Sequence, residues 1–133
     1  LIIALDQFPR SWWRGTPAAY AQDIKANLVI AEGLRNGHYE ALAEAWERQF
    51  YIIALTHCEG PDHLTRMDLA IDLASELPAE QERRVRAVIE RFGRHPHRNA
   101  IHGRLSTPAE EAYIAEGDFP HERKVEPPDA NAG

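Results

Sequence analysis

Phe50-Tyr51-Ile52-Ile53-Ala54-Leu55-Thr56-His57-Cys58-Glu59-Gly60-Pro61 reads as a helix that is apolar on almost every side and then stops abruptly. An apolar run, a polar triplet and a Gly-Pro break predict a central buried helix with reactive side chains at its C-terminal end. Leu42, Trp46 and Phe50 carry the pattern upstream at helical spacing, so the element is expected from about Tyr39 to Thr56.

Helical periods continue on both sides. Leu64, Met67, Ile71 and Ala74 predict a third helix over about Pro61–Ser75. Leu77-Pro78 opens a fourth, with Val85, Val88, Ile89 and Phe92 as its buried stripe and Gly93 as its C-cap. His95-Pro96 begins a short fifth helix through Ile101, and Thr107 with Glu110 forms the capping box of a sixth. Towards the N-terminus, Thr16-Pro17 starts a helix whose face is Tyr20, Ile24, Leu28, Ala31 and Leu34, stopped by Asn36-Gly37. Leu1 to Leu5 reads as a helix already under way, expected to end near Phe8 because a residue before proline avoids the helical region. Arg10 to Gly15 is then a loop, with Trp12 and Trp13 folded back on the core.

Nothing alternates with period two for long enough to make a strand, so the expected fold is all-α. Helix pairs joined by short turns point to antiparallel hairpins stacked in a tetratricopeptide-like, α-solenoid-like array without a sheet. No repeat of about 34 residues accompanies it. Residues 1–117 form one expected helical domain, and 118–133 a proline-rich, acidic tail of flexible composition.

The composition narrows the function classes. A net charge of -6 argues against a general binder of nucleic acid or membrane surfaces. Thirteen arginines stand against two lysines, a bias that suits bidentate contacts to carboxylate or phosphate and that a GC-rich genome produces equally. Cys58 is the single cysteine, which excludes an intrachain disulfide and predicts a reducing, cytoplasmic setting. No apolar run approaches ~18 residues and no signal-peptide pattern is present. A first residue of leucine inside a helical pattern suggests that the natural chain starts further upstream.

Three polar clusters fall at predicted helix ends: Asp6, Gln7 and Arg10; His57, Cys58 and Glu59; and Arg94, His97, Arg98, Asn99 and Arg104. In an antiparallel stack alternate helix ends meet on one side, so these clusters are expected to converge. A carboxylate, imidazole and arginine set there can hold an anion or move a proton. The same groups can also satisfy helix-end carbonyls and pair with one another. Asp6, which ends an apolar helix, is expected to pair with Arg94, Arg98 or Arg104. Residues 79–104 carry a local charge of +4 and residues 105–133 one of -5, so the tail can screen the basic segment or the segment can receive an anion.

The histidines with Glu59 are ligands that zinc accepts, but they follow no recognised ligand spacing and no metal is expected. Cys58 beside His57 is more simply a small buried hydrophobe than a nucleophile. No glycine-rich phosphate loop, dinucleotide fingerprint or nucleophile elbow is present, so no cofactor is expected.

Asp6-Gln7-Phe8-Pro9-Arg10, Arg14-Gly15-Thr16, Arg91-Phe92-Gly93-Arg94-His95-Pro96-His97-Arg98-Asn99 and Gly103-Arg104-Leu105-Ser106-Thr107-Pro108-Ala109-Glu110-Glu111 together resemble the "domain of unknown function 924" family over about residues 1–116. The resemblance implies a soluble, all-helical, tetratricopeptide-like domain with no established activity, and it brings Arg14 into the candidate set. Members usually carry a preceding segment with an aromatic-rich start. The family's Pro-Leu-Glu-His-Ser-Glu string corresponds to Ala54-Leu55-Thr56-His57-Cys58-Glu59, which keeps His57 and Glu59 and replaces a glutamate by Thr56 and the serine by Cys58. Its usual His-Arg pair appears as Val85-Arg86.

Three readings follow. The first is a binding domain whose pocket takes a small anionic ligand or an acidic peptide end. Asp6, Gln7, Arg10, Arg14, His57, Glu59, Arg94, His97, Arg98, Asn99 and Arg104 would contribute to it. The second is a hydrolase or transferase using His57 or His97 as acid-base. The third is a scaffold or interaction protein whose polar motifs only lock loops; under any of the three an oligomer is open, with a neighbouring chain able to hold the tail.

Overall fold

The element on which the others pack is α3 (Ala45–His57). A computed structural model describes residues 1–74 and 79–120. Among them are six α-helices, two short 3₁₀ segments and no strand, so the fold is all-α. α3 starts later than its apolar period predicts. Glu44 and Glu47 close a reciprocal capping box at its N-terminus, and Tyr39 to Leu42 form turns before it.

α3 packs on α1 (Ile2–Trp12), α2 (Asp23–Arg35), α4 (His63–Leu73) and α5 (Glu80–Phe92). Ile52, Ala54 and Leu55 from α3 join Ile2, Ile30, Ala70 and Ala74 in the main apolar core. A second cluster, Met67, Val85 and Ile89, binds α4 to α5. Each large aliphatic side chain so buried contributes roughly 1.5–3 kcal/mol by leaving water. The chain ends in α6 (Pro108–Glu116), with the expected Thr107–Glu110 capping box.

Several local expectations are corrected. α1 runs through Pro9, which is buried inside it, and ends only at Trp12. The proline forfeits the backbone donor that would serve the Leu5 carbonyl; in the same turn the guanidinium of Arg10 donates to the Asp6 carbonyl at 3.0 Å. Trp12 and Trp13 are 70% and 48% exposed, not folded onto the core; Trp12 packs on Phe8 and Trp13 instead.

The predicted helix from Thr16 is split into a 3₁₀ turn, Pro17–Tyr20, and α2. The inward face of α2 is Asp23, Ala26, Ile30 and Gly33, while Ile24 and Leu28 face solvent. Gly33 explains the choice: a Cβ there would sit 2.9 Å from Cε1 of Tyr51, so the missing side chain lets α2 approach α3. On α4, Met67 and Ala74 are buried as expected, whereas Leu64 is exposed and Ile71 half-buried. On α5, Val85, Val88 and Ile89 are buried and Gly93 caps with φ 73°, but Phe92 is only half-buried against Tyr113. The short helix from Pro96 ends at Arg98. Ser75, Leu77-Pro78 and the tail beyond Pro120 lie outside the described residues.

Candidate functional site

A helix C-terminus leaves its last carbonyls without intrahelical donors. At α3 they are taken up by side chains from other parts of the chain. Asn27 donates to the Ala54 carbonyl at 3.4 Å, His63 Nε2 to Thr56 at 2.7 Å, Arg98 Nη1 to His57 at 2.8 Å and Arg66 Nη2 to Cys58 at 2.5 Å. Cationic donors also suit the negative end of the helix dipole. This helix end is where the polar clusters meet.

Asp6 reaches it from α1. Its carboxylate accepts from His57 Nδ1 at 2.8 Å and Gln7 Nε2 at 2.5 Å, and lies 3.0 Å from Arg10 Nη1. The expected partner was an arginine of the distant basic segment. α1 continues one turn further than its proline predicts, so Arg10 sits one turn along the same helix and His57 across from it. Burial pushes the Asp6 carboxyl up, but the His57 hydrogen bond and the nearby charges outweigh it and hold it below the ordinary value. Asp6 is therefore ionised, and Nδ1 of His57 is the donor. Burial, opposed by the Asp6 bond, holds the His57 imidazole below its ordinary value, so it is neutral at neutral pH. Arg10 closes this arm with a bidentate pair to buried Asp23, at 2.6 and 2.8 Å.

The second arm starts from Glu59. It accepts from Arg104 Nη1 and Nη2 at 2.5 and 3.2 Å and from the His95 backbone N–H at 2.7 Å. Burial opposes ionisation of Glu59, yet these donors bring its carboxyl below the usual range. Arg104 Nε donates to Asn99 Oδ1 at 3.0 Å, and the Asn99 amide reaches Glu110 Oε2 at 3.3 Å. Arg94 holds Glu110 through Nε and Nη2, at 2.9 and 3.0 Å. The Arg94 bond leads in pulling the Glu110 carboxyl down to about 2.

Arg98 lies between the arms and differs from the carboxylate-bound Arg10, Arg94 and Arg104; Arg66, which also serves one carbonyl and has a buried, unpartnered Nε, is half-buried. It is 5% exposed, its Nη1 serves the His57 carbonyl, and its Nε is buried without a hydrogen-bond partner among the described residues. Its guanidinium carbon lies over the Tyr20 ring, 4.2 Å from the centroid, with that of Arg10 5.3 Å from the same centroid and His102 beside the ring. Burial and the charge of Arg10 push the Arg98 guanidinium below its ordinary value.

A row of imidazoles lies behind, His63 to His95 at 5.4 Å and His95 to His97 at 5.5 Å between ring centroids. Burial brings His63 and His97 to about 4 and His95 well below its usual value, so all three are neutral. Among the described residues no group of three or more His, Cys, Asp or Glu is placed to hold a metal ion.

Of the candidate residues, the structure joins Asp6, Gln7, Arg10, His57, Glu59, Arg94, Arg98, Asn99 and Arg104 around the end of α3. His97 reaches this set through its ring contact with His95 and stacks on Phe119 at 4.7 Å. Arg14 stands exposed in the loop after α1. Tyr20, Asp23, Asn27, His63 and Arg66 complete the network without having been singled out for it. Each comes from another part of the chain, and no local motif marks them. Separately, a groove of about 720 Å³ runs over α1, α2 and α3, lined by Ile3, Leu28, Leu42, Trp46 and Phe50 among others; none of the candidate residues lines it. No described helix is long and apolar enough to cross a membrane.

A family model described as a bacterial protein of unknown function, DUF924, matches residues 1–118. A solved structure of a protein of unknown function from Agrobacterium tumefaciens resembles this one with a TM-score of 0.79 at 38% identity, over 87% of this chain and 65% of that one. The chain thus spans less than two thirds of that neighbour's length. No protein of curated function matches the chain. The chain belongs to the DUF924 family of bacterial proteins.

Proposed function

We propose that this chain is a helical binding domain whose polar network takes a small anionic ligand or an acidic peptide end. Its frame is read as antiparallel hairpins stacked in a tetratricopeptide-like array, supported by the successive packing of α1 on α2, α2 on α3, α3 on α4 and α4 on α5. The setting proposed is cytoplasmic. The observation that carries the binding reading is Arg98. Arg10, Arg94 and Arg104 each hold a carboxylate, whereas Arg98 is buried with no carboxylate in ion-pair reach among the described residues. A buried charge left in that state costs stability, and an anion that binds there recovers it.

The enzyme reading rests on a separate observation. Asp6 fixes the His57 tautomer with the proton on Nδ1, which leaves Nε2 as the basic nitrogen, as an acid-base histidine requires.

The test is a thermal-shift titration of the wild-type chain against small carboxylates, phosphates, nucleotides and acidic peptides at constant ionic strength. Binding of an anion raises the melting temperature in proportion to the logarithm of its concentration. If no anion at millimolar concentration shifts the melting temperature, the network is structural, and the chain is a scaffold.

A further inference from the structure

Arg98 carries a more specific consequence than anion binding in general. A guanidinium has two edges that can grip two oxygens at once: the Nη1/Nη2 end and the Nε/Nη2 side. Both are in use within this network. Arg10 and Arg104 hold Asp23 and Glu59 by the end, and Arg94 holds Glu110 by the side. In Arg98 the end is spent, because Nη1 donates to the His57 carbonyl. On the side, neither Nε nor Nη2 has a hydrogen-bond partner among the described residues. The Tyr20 ring, with its centroid 4.2 Å from the guanidinium carbon, restrains the position of that edge.

We infer that the Nε/Nη2 edge of Arg98, held over the Tyr20 ring, is the seat of a singly charged carboxylate, gripped side-on as Arg94 grips Glu110. The inference rests on the anion-binding reading above and names its ligand class.

Charge selects the carboxylate over a phosphate. The five network arginines Arg10, Arg66, Arg94, Arg98 and Arg104 exceed by one the carboxylates Asp6, Asp23, Glu59 and Glu110. Two of those carboxylates crowd on Arg10 and none reaches Arg98. The imbalance at Arg98 is local and amounts to one charge. A monoanion answers it, and a phosphate dianion brings a second negative charge that no cation of the network answers. The planar, two-oxygen shape of a carboxylate also fits the paired donors. Two sources offer this chemistry: a small carboxylic acid and the free C-terminus of a peptide.

The experiment is a two-dimensional ¹H–¹⁵N spectrum of the arginine Nε–H groups in the whole chain, with melting temperature recorded in parallel. Separate titrations use sodium acetate, N-acetyl-Ala-Ala with a free carboxyl, its C-terminal amide, and inorganic phosphate, all at constant ionic strength. The Arg98 resonance is assigned through the backbone, so the assignment does not depend on a variant that folds. The expected result is a saturable downfield shift of Arg98 Nε–H with acetate and with the free-carboxyl peptide. The amide produces none, and phosphate binds at least tenfold more weakly. Arg98→Lys, which keeps the charge but loses the edge, weakens acetate binding at least tenfold; Tyr20→Leu weakens it in a chain whose Arg98 is intact. Tighter binding of the peptide than of acetate identifies a peptide end, and equal binding a small acid. Should an anion raise the melting temperature while Arg98 Nε–H stays unmoved, the seat is overturned and the anion-binding reading stands. Should phosphate bind as well as acetate, the carboxylate class is overturned. Should no anion move either signal, both fall together.

Discussion

Asp6 and His57, fifty-one positions apart, share a hydrogen bond of 2.8 Å that fastens α1 to the end of α3. The backbone carbonyl of the same histidine accepts from Arg98, so one residue connects the first helix to the segment after α5. Asp6 is 1% exposed. Asp6→Asn keeps the shape but removes the charge, and is expected to cost about 1.5–3 kcal/mol in urea unfolding, the range for hydrogen bonds to charged groups. Asp68→Asn, at the exposed ion pair with Arg86, is expected to cost much less. Equal losses would contradict a buried, load-sharing Asp6.

The core between α4 and α5 depends on Ile89 more than on Phe92. Ile89 is 2% exposed, and Ile89→Ala is expected to lose about 2–5 kcal/mol, whereas Phe92→Ala, at a half-buried ring, loses less. Comparing urea midpoints of the two variants decides it. A larger loss at Phe92 would place that ring in the core instead.

Gly33 sets the distance between α2 and α3. Gly33→Ala brings a methyl group against the Tyr51 ring, and an overpacked contact of this kind costs about 1–3 kcal/mol. Adding Tyr51→Leu should return most of that loss, because the clash is with a side chain and not with backbone. Without recovery in the double variant, the close approach at Gly33 is not what limits the packing.

Acid should destabilise the fold in two adjoining windows. The imidazole of His63 falls from 6.5 to about 4 on folding, so the unfolded chain binds its proton first. That stability is complete above about pH 6.5 and is lost as pH falls towards 4, at most about 3 kcal/mol for this 1% exposed residue. His95 and His97 shift in the same direction. Glu110 falls from 4.5 to about 2, so its contribution is present above pH 4.5 and is lost below it. The urea midpoint should therefore drop steadily below pH 6.5. His63→Gln, which still offers a donor to the Thr56 carbonyl, should flatten the upper window. A wild-type midpoint that is level between pH 6.5 and 4.5 would refute the buried neutral imidazoles.

The helices, the Gly93 cap and the Thr107–Glu110 box were legible because each has a local cause: an apolar period, a left-handed glycine, a reciprocal cap. The site was legible only as three clusters at helix ends. Their pairing was not, because it depends on tertiary placement. Asp6 takes its arginine from its own helix, since α1 passes through Pro9 where the residue preference predicts a stop. The inward face of α2 escaped the hydrophobic pattern because it is built on Asp23, Ala26 and Gly33, whose value lies in an ion pair and in close approach, not in apolar bulk. Asn27, His63 and Arg66 became visible only once the carbonyls they serve, at Ala54, Thr56 and Cys58, were in place.

The central claim, that Arg98 is held for a ligand while its neighbours hold the fold, is tested most directly by unfolding Arg98→Met and Arg104→Met in urea without added anion. Arg104 holds Glu59, Asn99 and the His95 carbonyl, and its replacement leaves the half-buried Glu59 carboxylate without its cation. Arg98 holds a single carbonyl and carries an uncompensated charge, so its removal offsets one loss with one gain. The account predicts that Arg98→Met stays within about 1 kcal/mol of the wild type or exceeds it, while Arg104→Met loses about 1.5–3 kcal/mol. Equal, large losses in both variants would contradict it and make Arg98 one more strut of the frame.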